Sequence, residues 1–169
     1  MDKELIKEMR KVVKNGELDK IIRLLKDNES LLYVQTPFGT WLNDAVKSGK
    51  IEVVNYFLER DLDVNHADAI LGITPIVEAA SDGYVDIVNV LYNNGATFEV
   101  GDFKNNPLFA AIYGGHFEVV KYLVENGIDI TANYPIGTLD NVDAYEYARQ
   151  YGQVEIAEYL KEKLDALQE

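Results

Sequence analysis

The residues best placed to do chemistry in this 169-residue chain are oxygen ligands at alternate positions in the run Asp61-Leu62-Asp63-Val64-Asn65-His66-Ala67-Asp68. Such spacing opens a calcium loop, in which a glycine turns the chain after the third ligand and a bidentate Glu closes the shell. Here His66 holds the glycine's place and Gly72 the glutamate's, so the shell cannot close. His66 and His116 are too few for an imidazole zinc site without carboxylate help, and there is no cysteine to add a thiolate. Ser30, Ser48 and Ser81 fall at expected helix ends with no His nearby, which leaves no activated nucleophile. Asp140 and Asp143 could share acid and base roles, but nothing in the chain indicates a closed pocket that would part their pKa values. The glycines are spread one per turn, and none follows a strand with Lys-Ser or Lys-Thr behind it, so a phosphate loop is absent. The residues read as a non-enzyme with no cofactor and no metal.

What organises the chain is a repeat. The stretch Gly115-His116-Phe117-Glu118-Val119-Val120 recurs as Gly49-Lys50-Ile51-Glu52-Val53-Val54 and Gly83-Tyr84-Val85-Asp86-Ile87-Val88, and more loosely from Gly16 and Gly152. The anchor glycines step by 33, 34, 32 and 37 residues. Nine residues before the middle three stand helix openers, at Thr40-Trp41-Leu42, Thr74-Pro75-Ile76 and Asn106-Pro107-Leu108. A period in the low thirties, with a turn between two short apolar-periodic runs, marks a helix-turn-helix solenoid. Helices are expected over residues 3–14, from Leu18, over Trp41–Ser48 and from Ile51 to Arg60, with the later pairs inside Thr74–Asn94, Asn106–Gly127 and Asp143–Glu169. Pro fits the first turn because its missing N–H has no intrahelical partner there. Gly95 and Gly127 close helices where a left-handed residue is required, and Asp61 takes the equivalent place.

With its Thr74-Pro75 opener, the recurring Ala45, Ala79-Ala80 and Ala110-Ala111, and the repeat glycines, the chain resembles the ankyrin-repeat family over nearly its whole length. The resemblance implies an all-α solenoid of helix-turn-helix units with projecting hairpin-like fingers. Its units would be an N-terminal cap at 1–34, internal repeats at 35–68, 69–101 and 102–130, and a long finger plus C-terminal cap at 131–169. On this view Asp61–Asp68 is an ordinary helix exit, and His116 fills a place where the family commonly has His. The family's histidine after the opener is missing, with Asn43, Val77, Phe109 and Glu146 in its slot, which leaves the bond it would make unsupplied. The outer face of the first pair is expected to carry Lys7, Arg10, Lys11 and Lys14 among acids, as a terminal unit without a neighbour should.

The net charge of −13 argues against a nucleic-acid surface, which must neutralise phosphates with Lys and Arg, and favours a basic partner or simple solubility. The charged N-terminus lacks a leader's apolar segment, and no run approaches a membrane span. The expectation is a cytoplasmic monomer with no membrane association. Abundant Lys, Asn, Ile and Tyr suggest an AT-rich, bacterial genome.

The resemblance places a protein partner on the concave face formed by fingers and first helices. The candidate contacts are Phe38, Trp41, Asp44, Leu71, Ile73, Glu78, Asp82, Phe103, Tyr113 and Tyr134, the last near the tip of the long finger at 131–142. Phe38, Trp41, Leu71, Phe103 and Tyr113 are large groups at places stacking does not require, so they either anchor a partner or cover the neighbouring finger. Asp44, Glu78 and Asp82 would make the groove acidic. The convex face and the long finger are alternative surfaces. The function expected is protein–protein interaction, as an inhibitor of a basic protein such as a toxin's immunity protein, or as a multi-partner scaffold.

Overall fold

The computed structural model describes residues 2–168. Among these residues ten α-helices form five pairs: α1 (Lys3–Asn15) with α2 (Leu18–Asp27), α3 (Trp41–Lys47) with α4 (Ile51–Leu58), α5 (Pro75–Ser81) with α6 (Val85–Asn93), α7 (Pro107–Gly114) with α8 (Phe117–Glu125), and α9 (Ala144–Gln150) with α10 (Val154–Ala166). First helices pack on first helices in the order α1, α3, α5, α7, α9, and α4, α6, α8 and α10 form a second row.

The helix starts follow from their caps. Asp2 accepts the Glu4 N–H, Asn106 the Leu108 N–H and Asp143 the Glu146 N–H, each removing one orphan donor. Thr40 and Asn43 form a reciprocal capping box on α3. Asn43 also donates from Nδ2 to the His66 carbonyl at 2.9 Å. An amide thus ties the opener to the chain beyond α4, so the bond thought missing with the family's histidine has a substitute here.

The turn inside each pair explains the glycine repeat. Gly16, Gly49, Gly83 and Gly115 have φ of 77°, 65°, 77° and 72°, a region L side chains avoid. Each also lies under the side chain that follows the next unit's glycine: Lys50, Tyr84, His116 and Gln153 respectively. His116 adds a bond, its Nε2 standing 2.9 Å from the Ser81 carbonyl. The left-handed helix exits are at Gly95, Gly127 and Asp61, the last being the one non-glycine with positive φ (57°) among the described residues.

Between the rows the core is continuous. Ala45, Ala79, Ala111 and Ala148 are fully buried and let facing helices approach, while Leu42, Val46, Ile76, Leu108 and Ile112 fill the layers between them. Truncating one of these leucines to Ala costs roughly 2–5 kcal/mol.

The connections between pairs are not alike. Thr36 and Gly39 form an isolated antiparallel bridge, Asp68 organises a turn through residues 70–73, and Phe103–Asn105 is a single 3-10 turn. The fourth is a β-hairpin, β1 (Tyr134–Ile136) against β2 (Leu139–Val142). The structure is mostly helical, in keeping with the all-α expectation, and of the hairpin-like fingers this one forms paired strands because the longer fourth step supplies enough residues for them.

Candidate binding surface

Two fingers and three first helices, α1, α3 and α5, enclose a cleft of about 280 Å³. One wall comes from the Thr36–Gly39 turn, where Thr36 Oγ1 accepts the Phe38 N–H at 3.2 Å and its backbone pairs with Gly39. This local bonding throws Phe38 outward, 56% exposed. The facing wall comes from Asp68, whose carboxylate accepts N–H bonds from Ile70, Leu71 and Ile73 at 2.9, 2.8 and 3.1 Å. That turn presents Ile70 and Leu71 to solvent, Leu71 at 61%. Burial works to raise the Asp68 pKa, but the three N–H donors outweigh it and hold the carboxyl below its ordinary range. The Ala69 N–H bonds the Pro37 carbonyl at 3.1 Å, which locks the two turns together. Ile73, half-buried, and Pro75 line the cleft below.

The floor is polar and internally neutralised. Arg10 Nε lies 2.9 Å from Asp44 Oδ2, and Arg10 Nη2 donates to Thr36 Oγ1 at 2.7 Å. Lys47 Nζ lies 3.0 Å from Glu78 Oε1, and that hydrogen bond, reinforced by charge, raises the Lys47 pKa. Three bases, Arg10, Lys14 and Lys47, and three acids, Asp44, Asp68 and Glu78, line the cleft. The expected acidic groove is therefore corrected here: Asp44, only 4% exposed, and Glu78 each already hold a cation of this chain. Asp82 is exposed at the end of α5 and makes no ion pair among the described residues.

Trp41 is not on this surface. It is fully buried, its Nε1–H donating to the Leu31 carbonyl at 2.7 Å, because the 3-10 turn Glu29–Tyr33 passes under the start of α3 and offers that acceptor. Tyr134 is not at a finger tip either. It sits at the base of the hairpin, 9% exposed, donating to the Val100 carbonyl at 2.6 Å and accepting from Asn106 Nδ2 at 3.0 Å. Phe103 is half-buried against Phe109, Tyr134 and Tyr147. Tyr113 is exposed on α7 and meets Tyr151, away from the cleft.

The structure thus brings Phe38, Asp44, Leu71, Ile73 and Glu78 together and leaves the other candidates elsewhere. Sequence reasoning misplaced Arg10, which faces the groove instead of the outer surface, with its guanidinium 5.1 Å from the Phe38 ring centre. The signal was available: Arg10 stands six residues before Gly16, as Asn43, Val77 and Phe109 stand before their glycines. Tyr151 was also missed, although it directly precedes Gly152 as Asp82 precedes Gly83.

Among the described residues no three of His, Asp or Glu converge as metal ligands, and no helix is long and apolar enough to cross a membrane. In the calcium-like run the Asp63 carboxylate accepts the Asn65 N–H at 2.9 Å, so these oxygens cap turns.

Comparison with known proteins matches the helix pairs. A family model described as ankyrin repeats, three copies, matches residues 42–134 and 99–168. The chain is 34% identical over 100 residues to the human ankyrin repeat and KH domain-containing protein 1, an alignment covering 57% of this chain and 4% of that protein. It is 33% identical over 100 residues to the Drosophila melanogaster ankyrin repeat and KH domain-containing protein mask, covering 57% of this chain and 2% of that one. With the human BCL-6 corepressor-like protein 1 it shares 35% over 94 residues, 54% of this chain and 5% of the other. The chain spans a small fraction of the length of these relatives. Stacked helix pairs, left-handed turn glycines and matched family model agree: the chain belongs to the ankyrin-repeat family.

Proposed function

We propose that this chain is a non-catalytic protein-binding module, five ankyrin repeats stacked as a solenoid with the first and last pairs as caps. Its contact surface is the concave side, centred on the cleft between the Thr36–Gly39 and Asp68–Ile73 turns. The observation that carries the reading is the pairing of Phe38 with Ile70 and Leu71, large apolar side chains held in solvent on facing walls by turn hydrogen bonds. Exposed apolar groups rimmed by charge are what a partner buries. A cleft of about 280 Å³ suits one or two apolar side chains of an extended segment. Because the floor charges are already matched, anchoring there is apolar, and the ion pairs act as a rim that excludes water.

The rest of the chain supports a basic partner: residues 69–169 carry sixteen acids and five bases. Inhibition of a basic protein, as a toxin's immunity protein would perform it, is the role that charge supports. A scaffold for several partners would use the same cleft and lose less affinity as salt rises.

The test is selection from a random peptide display library against the wild-type chain, with Phe38→Ala and Leu71→Asp as counter-screens. Selected peptides should carry an apolar residue and lose about tenfold or more in affinity for either variant, a hot-spot loss. Peptides that bind wild type and both variants equally would place the contact elsewhere and end this reading.

A further inference from the structure

The groove carries a second feature that the cleft does not use. Tyr113 on α7 and Tyr151 at the end of α9 are 61% and 46% exposed, their ring centres 5.2 Å apart and nearly edge to face at 71°. Tyr151 leans on Tyr147 at 4.6 Å. Tyr147 is itself buried against Phe103 and Phe109, at 5.6 and 5.1 Å. An aromatic stack therefore runs out of the core and ends in two rings that face water. Burial, with the neighbouring Tyr151 phenol, pushes the Tyr147 pKa well above the usual tyrosine range.

The preceding unit is short of cations: residues 69–101 hold four acids and no base, and the end of its first helix reaches α7, where the Ser81 carbonyl lies beside Gly114. Asp82, in the place before its glycine that Tyr151 holds before Gly152, is exposed and without an ion-pair partner among the described residues. Arg149, the base on α9, is already taken: it pairs with Glu146 at 2.9 Å and lies 5.7 Å from the centre of a different ring, Tyr145. Neutral tyrosine rings present negative faces, and a cation set against them is held by the ring quadrupole.

We infer that the exposed Tyr113–Tyr151 pair is a docking station for a cationic side chain, arginine above lysine, of a basic segment in the protein partner. The inference rests on the protein-binding reading and adds a second contact, at the other end of the groove from the cleft. Arginine is the better occupant because its planar, weakly hydrated guanidinium stacks on an aromatic face while a lysine ammonium holds its water. The chain's own Arg60, 3.4 Å from the Tyr56 ring centre, shows the same pairing within the fold.

The probe is an arginine-glycine repeat octapeptide titrated into protein with isotope-labelled tyrosine, followed by the ring resonances. Its control is the same peptide with citrulline for arginine, which keeps shape and removes charge. Saturable shifts at Tyr113 and Tyr151 are expected, with about three- to fivefold weaker binding for the citrulline peptide. The same loss is expected for the Tyr113→Leu, Tyr151→Leu double variant, and little change for Tyr113→Phe. Both positions are exposed, so the variants keep the fold. Equal binding of the two peptides, or undiminished arginine-peptide binding by the double leucine variant, would overturn the station. The cleft reading is tested separately by Phe38→Ala and Leu71→Asp, so either can fall alone: arginine-peptide binding that leaves the Tyr113 and Tyr151 resonances unmoved and is lost in those two variants would overturn the station and support the cleft.

Discussion

Trp41 shows how much a single side chain depends on its neighbours. A lone tryptophan where other openers have proline looks like an interface anchor, yet it is the largest fully buried side chain in the core. Its indole N–H satisfies the Leu31 carbonyl at 2.7 Å. Trp41→Phe should therefore lose both packing volume and the partner of a buried carbonyl, about 2–4 kcal/mol in all. Urea unfolding followed by circular dichroism measures this, and a loss below about 0.5 kcal/mol would mean the indole is not held as described. Asp44 teaches the same lesson with charge: an acid on the groove face is not a groove charge once Arg10 reaches across from the preceding pair.

At the level of the elements, the turn glycines are needed for two separable reasons, backbone and cover. Gly83 has φ of 77°, and a Cβ there would stand 2.5 Å from His116 Nδ1. Gly95 is also left-handed, at 92°, but a Cβ there would meet nothing within 4 Å. Gly95→Ala should then cost only the left-handed penalty, about 1–2 kcal/mol. Gly83→Ala should cost about 1–2 kcal/mol more, because His116 must move off its bond to the Ser81 carbonyl. Equal losses in parallel denaturation curves would show that His116 swings aside freely and that the cover contributes nothing to stacking.

For the molecule as a whole the dominant long-range term is its charge, 29 acids against 16 bases. Within the described residues only five ion pairs form, three of them between neighbours three residues apart on or beside one helix. Most of the excess acid is left to repel itself, which destabilises a folded chain at low ionic strength. Raising salt from about 0.02 M to about 0.2 M, which shortens the screening length to within one helix diameter, should raise Tm by a few degrees. A melting point that falls over that range would mean the attractive pairs outweigh the repulsion.

The ankyrin array itself was legible without coordinates, because its causes are local and repeat. Glycine spacing, Thr or Asn before Pro, small residues between helices and apolar stripes each act within a few residues, and recurrence at a period in the low thirties multiplies the signal. The five helix pairs and the left-handed places at Gly95, Gly127 and Asp61 follow from that. The surface was legible only in part. Phe38 and Leu71 stood out as large apolar groups at places the repeat does not need for stacking, and their exposure is local in cause, since hydrogen bonds within their own turns throw them outward. The burial of Trp41 and Tyr134, the neutralisation of Asp44 by Arg10 and the meeting of Tyr113 with Tyr151 each join residues from different units. Those facts depend on how one repeat is set against the next, and a side chain's exposure is a property of that stacking, which no residue carries by itself.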